Sequence, residues 1–141
     1  MLHATFAIPD LTVFCGLDEL GLVAIGQRLD PDRVVIERRV AEPERWCRGC
    51  GCQALSRGGM EIRMLAHEPF GHRLTTLLIC VRCYTCAECG RSWREDITAA
   101  APERAKLSRR GTRWALEGIV LDRLTVARVW ECPGTPRTTR F

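Results

Sequence analysis

Aromatic side chains are scarce in this chain, 6% of its 141 residues, so a core built from it lacks its largest contributors of buried area. A bound metal would relieve that shortage. No apolar run approaches the roughly 18 residues that a membrane span needs, and no membrane partner is expected. Met1–Cys15 includes His3, Pro9 and Asp10 and has no charged region ahead of an apolar stretch, so no secretory signal is read there. Gly-rich phosphate loops and Gly-x-Ser-x-Gly are missing as well. Glu61, Glu95, Asp96 and Glu117 show no paired spacing that would nominate an acid/base couple, and they read as solvated surface. These absences argue against an enzyme.

What the chain does have is cysteine, nine of them. Two groups stand out, Cys47-Arg48-Gly49-Cys50-Gly51 and Cys86-Ala87-Glu88-Cys89-Gly90. Each is a Cys-x-x-Cys followed at once by glycine, a residue that takes positive φ and lets backbone amides point back at the sulfurs. Together they supply the four ligands of a tetrahedral structural zinc. Clustered pairs of this kind in a chain without an export signal read as metal binding in a reducing cytoplasm, not as disulfides. Two alternatives stay open. Cys83-Tyr84-Thr85-Cys86 overlaps the second group but lacks the knuckle glycine, and Cys52 lies two residues past Cys50, at a spacing from Cys47 less suited to a tight knuckle; the first assignment is favoured. A thioredoxin-like redox role lacks its βαβ context. Cys15 and Cys80 read as small buried hydrophobes, while Cys132 stands alone. His67 and His72 flank Pro69-Phe70-Gly71, where a turn role is favoured over metal ligation.

With 46% hydrophobic residues the chain is globular in composition, and its length suits one modest domain or two very small ones. Leu11–Leu17 is a strand or a short helical turn. Leu20–Ile25 and Arg33–Val40 flank Asp30-Pro31-Asp32 and predict a β-hairpin. Met60–Leu65 alternates, Met60, Ile62 and Met64 on one face and Glu61 and Arg63 on the other, the pattern of a half-buried strand. Leu74–Arg82 is a longer strand leading into the second knuckle, and Arg91–Ile97 a short one carrying Trp93. Zinc ribbons follow this plan, each knuckle at the tip of a hairpin. From Leu107 to Leu121 the apolar spacing becomes helical, with Ser108 as cap and Arg109, Arg110 and Arg113 on the polar side. Thr125 caps a second helix over Val126–Val129. Arg104–Arg113 holds five bases and no acid, a stretch suited to phosphates. The expected class is therefore α+β, a small β-rich zinc-ribbon-like domain followed by a partial helix-turn-helix. Its expected divisions are a hairpin region over 1–43, the zinc-binding region over 44–101, the incomplete helix-turn-helix over 102–130 and an irregular tail over 131–141.

Trp46–Cys52, Leu65–Gly71 and Tyr84–Trp93, with Ala105–Gly111, Trp114–Val120 and Leu124–Val129, carry a family resemblance. Over about Leu2 to Val129 the chain resembles the N-terminal part of bacterial insertion-sequence transposases of the ISL-three family. In that family a zinc-binding domain precedes a helix-turn-helix and a DDE-type catalytic domain. Carried over by position, the resemblance puts the zinc ligands on Cys47, Cys50, Cys86 and Cys89. It implies binding of DNA at transposon ends, with Arg109, Arg110, Arg113 and Arg128 as phosphate contacts. The recognition helix and the catalytic domain have no counterpart here, and a frameshift over the tail Trp130–Phe141 would account for that. The resemblance thus implies a truncated DNA-binding module that does not transpose alone. Its rival is a zinc-dependent interaction module that pairs with or inhibits full-length transposase, or a remnant without function.

Overall fold

The computed structural model describes residues 7–54, 56–71, 73–123, 125, 126 and 129. Its elements are helix α1 (Leu11–Phe14), a 3-10 turn (Asp18–Leu20), strands β1 (Leu22–Leu29), β2 (Arg33–Val40), β3 (Ser56–Phe70), β4 (Arg73–Thr85) and β5 (Ser92–Arg94), and helix α2 (Arg109–Val120). The five strands make one sheet in the order β1-β2-β4-β3, with β5 paired to the end of β4. β1 and β2 form the hairpin expected around Asp30–Asp32. β2 then runs parallel to β4, Arg33 opposite Leu74 through Arg39 opposite Cys80. Where β2 ends, β5 takes its side of β4, Cys83 opposite Arg94. The sheet therefore runs from the N-terminal hairpin into the knuckle region without a break.

Strand alternation sends Val34 and Ile36 of β2, Leu77, Ile79 and Val81 of β4 and Leu65 of β3 to the same face. The registers align Ile36, Leu77 and Leu65 in one row across three strands. Leu17, Leu20, Ala100 and Ala101 close over that row, and the core sits between. Each large aliphatic side chain buried there contributes about 1.5–3 kcal/mol. One charged residue shares the space. Arg38 is fully buried, its Nε and Nη2 donate to the Ile36 carbonyl, and its Nη1 has no partner among the described residues. Burial pulls its pKa down to about 10.

The alternation of Met60–Leu65 is real, but the covered face is the other one. Met60, Ile62 and Met64 are 61%, 63% and 59% exposed, whereas Leu65 and His67 are buried. Period two separates two faces without saying which one the rest of the chain covers. Long-range contacts decide it: Arg63 donates to the carbonyls of Pro102 and Ala105, and Leu65 meets Leu77.

Helix α2 begins as its sequence foretells, the Ser108 hydroxyl accepting from the Gly111 N–H. Its first turn sits on β3. A Cβ on Gly111 would lie 2.9 Å from the Ala66 carbonyl oxygen, so glycine permits the close approach. His67, expected at a turn, instead lies in β3 as a buried link. The Cys15 carbonyl can only accept, so the neutral His67 ring carries its proton on Nε2 and donates to it at 3.1 Å, and Nδ1 accepts from the Ser108 hydroxyl at 2.7 Å. His72 and Cys132 lie outside the described residues. The second helix expected at Val126–Val129 falls mostly outside them too, and a helix-turn-helix is not shown. Among the described residues, no helix is long and apolar enough to cross a membrane.

Candidate metal centre

Both knuckles are built by the same bonds. In the first, the Cys47 N–H donates to the Cys52 carbonyl at 2.8 Å and the Gly51 N–H to the Cys47 carbonyl at 2.9 Å. In the second, Cys86 N–H donates to Arg91 O at 2.8 Å and Gly90 N–H to Cys86 O at 2.9 Å. Gly51 and Gly90 take φ of +75° and +71°, the left-handed region that a side chain would strain. The first knuckle is closed by a bridge between Trp46 and Gln53, and the second joins β4 to β5 at Thr85 and Ser92. Each is the tip of a hairpin, as expected.

The tips face one another. The sulfurs of Cys47, Cys50, Cys86 and Cys89 all lie within 4.8 Å of each other. Cys47 and Cys89 are 3.5 Å apart, and Cys50 and Cys86 are 3.4 Å apart. These gaps are far too long for disulfides, which need about 2.05 Å, and all four cysteines are free. They do suit a metal: with metal–sulfur bonds of about 2.3 Å, the edges of a tetrahedron are about 3.8 Å long. Four such thiols can hold one metal ion. Among the described residues neither Cys52 nor Cys83 joins the group, so the alternatives left open by spacing are not taken up.

Without a cation the four thiols do not ionise together. N–H groups of Cys50 and Gly49 pull the Cys47 thiol down to about 6, and the Cys89 N–H lowers Cys86. Their partners move the other way. The Cys52 amide favours the Cys50 thiolate, but the adjoining Cys86 sulfur and burial outweigh it and push Cys50 up to about 12. The Arg91 amide likewise favours the Cys89 thiolate, and the neighbouring Cys47 with burial overcomes it. Four anions this close repel one another, so without a cation only part of the set ionises. A divalent ion reverses that balance and deprotonates its thiols.

A second layer holds the two hairpins in place. Trp93 Nε1–H donates to the Glu44 carbonyl at 2.8 Å, tying β5 to the segment that enters the first knuckle. The Trp93 ring stacks on Tyr84 at 5.7 Å. Beneath them Glu95 is buried, not solvated as its sequence context suggested. Its carboxylate lies 2.8 Å from Arg82 Nε and accepts from the Arg82 N–H and the Tyr84 hydroxyl. The 2.8 Å contact is bent away from the N–H direction, so Nε counts as an ionic neighbour rather than a hydrogen-bond donor. Sequence reading missed Glu95 because its partners are 11 and 13 residues away across a strand pairing.

The arginines set down for DNA have separate fates. Arg109 is exposed, with Nε and Nη2 donating to the Thr98 carbonyl. Arg113 is 75% exposed in its side chain, near Glu117 one turn on. Arg110 is held between Glu68 at 2.7 Å and Glu19 at 2.8 Å, which hold its guanidinium firmly charged. Its charge is already balanced within the fold. Arg128 lies outside the described residues.

No protein-family model, curated protein or solved structure matches this chain. The site must be read from its own geometry.

Proposed function

We propose that the chain is a zinc-dependent DNA-binding module, of the kind that opens an insertion-sequence transposase and engages the ends of its element. The observation that carries the zinc reading is the tetrad of sulfurs at tetrahedral spacing on two matched knuckles. Four thiolates and no open position suit a structural zinc. Its binding free energy, about 10–16 kcal/mol in zinc-finger peptides, would count toward folding.

The DNA reading rests on charge. Lys106, Arg109 and Arg113 are exposed around the start of α2, in a stretch that carries no acid. They suit phosphates, which position a protein on a duplex without reading its sequence. Arg110 would serve differently, fixing α2 to Glu68 and Glu19 so that its neighbours are presented in a constant direction. Base reading would belong to a further helix. The transposase reading itself rests on the sequence resemblance.

Two measurements test this. Purified protein should carry one zinc per chain. It should bind unrelated duplexes weakly, and three phosphate contacts predict a loss of about 40-fold in affinity between 50 and 200 mM salt. Salt-insensitive binding, or none at 50 mM, rejects the DNA reading. The exposed apolar strip of Met60, Ile62 and Met64 favours a second reading, a zinc-dependent protein-interaction module. Protein capture that persists at salt concentrations abolishing DNA binding would support it.

A further inference from the structure

β3 is an edge strand, and a short stretch of that edge is open. The Ala66 N–H donates to the Lys106 carbonyl, and the Ala66 carbonyl accepts from the Ser108 N–H, so both Ala66 groups point away from β4. The β3–β4 register is unbroken from Met60 opposite Arg82 to His67 opposite Thr75. Alternation along an antiparallel ladder then aims the N–H and C=O groups of Met60, Ile62 and Met64 outward too. Among the described residues these groups have no backbone partner on that side. Their side chains form the exposed apolar strip of the fold.

We infer that this edge pairs with the same edge of a second copy, antiparallel about a twofold axis at Ile62. The sequence Met60-Glu61-Ile62-Arg63-Met64 complements itself in that one register. Ile62 meets Ile62 of the second copy, and Met60 meets Met64, all through outward-pointing backbone groups. Glu61, which also contacts Arg94 at 3.2 Å, falls opposite Arg63, whose Nη2 is held by the Pro102 and Ala105 carbonyls, at the closer, non-hydrogen-bonded positions, where opposite charges attract and like charges repel. Only Met60–Met64 pairs in this register: Ala66, which Lys106 and Ser108 already occupy, falls opposite Gly58, so the second strand has to leave the edge at Gly58-Gly59. Moving the axis to Met64 would set Ala66 opposite Ile62 and shorten the pairing further. Moving it to Met60 sets Glu61 opposite Gly59 and carries Arg63 toward Arg57 across the register shift between Arg57 and Gly59, so neither charge meets an opposite one. An axis at Glu61 or Arg63 would confront like charges and use groups already bonded to β4.

Such an interface is isologous and joins two five-stranded sheets into one. It also closes the exposed edge that would otherwise invite open-ended association. The paired stretch is short, well below the roughly 1,200 Å² that stable interfaces bury, so the dimer is weak and reversible. The inference stands apart from the DNA reading, because none of its residues belongs to the basic stretch.

Sedimentation velocity of the full chain tests it. Monomer is expected at about 1 µM and dimer at about 100 µM. Ile62→Lys, which places two ammonium groups at the axis, should abolish the dimer. Glu61→Arg sets arginine against Arg63 in both symmetric pairs and should weaken dimerisation about tenfold. Hydrogen exchange on the unmodified chain needs no variant. The amides of Met60, Ile62 and Met64 should be protected at the high concentration and unprotected at the low one. A chain that stays monomeric at 100 µM overturns the inference. So does a dimer indifferent to Ile62→Lys, or one in which those three amides exchange equally at both concentrations.

Discussion

The two ends of the sheet are held by different means. At the β1–β2 end, rows of aliphatic side chains from β2, β4 and β3 lie beneath Leu17, Leu20, Ala100 and Ala101, and apolar burial carries the structure. At the far end β4 runs out of core. Its last residues meet β5, a buried ion pair, two stacked rings and four thiols. An aromatic-poor chain stretches its apolar residues over one end and leaves the other to polar and metal chemistry. The ends should therefore fail separately, under different insults.

The largest expected effect breaks one end alone. Cys86→Ser should lose the metal and unfold the knuckles, a loss on the order of 10 kcal/mol of local binding free energy. Hydrogen exchange should become fast at Cys47–Cys52 and Cys86–Arg91 while Ile36 and Leu77 remain slow. Cys83→Ser should keep both metal and protection, and loss of metal there would move the site. Glu95→Ala strikes the same end more gently. It strands Arg82 in a buried position and should cost about 3–5 kcal/mol, with metal affinity falling alongside. Leu77→Ala is the converse, lowering global stability by about 2–5 kcal/mol in denaturant unfolding while leaving metal affinity of the folded chain unchanged. Equal damage to metal affinity from Leu77→Ala and Glu95→Ala would erase the distinction between the ends.

Smaller effects sharpen the boundary at α2. Gly111→Ala forces a methyl against the Ala66 carbonyl and should cost about 1–3 kcal/mol. The smallest is a pH effect. Burial, partly offset by the Cys15 carbonyl and Glu68, depresses the His67 pKa below its ordinary 6.5. The unfolded chain therefore binds the proton more readily. This contribution is complete above about 6.5 and declines as pH falls below it toward the depressed folded value. His67→Asn should flatten the slope in that range, and an unchanged slope would place the sensitive group elsewhere.

How legible each part was follows from how local its causes are. Arg33–Val40 is a strand with the expected bounds because β-branched residues and an Asp-Pro-Asp turn act within a few positions. The knuckles were equally plain, since a Cys-x-x-Cys-Gly carries its own turn chemistry. The parallel pairing of β2 with β4, the face that β3 turns inward, and the burial of Glu95 were not legible. Each is set by residues far away in sequence. Arg110 makes the point sharply: its two carboxylates are 42 and 91 residues distant, and nothing beside it distinguishes it from Arg109.

The parallel β2–β4 pairing has a consequence for synthesis. β4 must be placed between β2 and β3, yet it is made after both. At roughly 5–20 residues per second, the 45 residues from Val40 to Thr85 take about 2–9 s to emerge. For that interval the nascent hairpin shows a bare strand edge, and once Cys47 and Cys50 have been made they offer half a chelate. Completion of one strand then seals the edge and, one residue later, brings in the first ligand of the other half. The birth of this fold is gated by the arrival of β4.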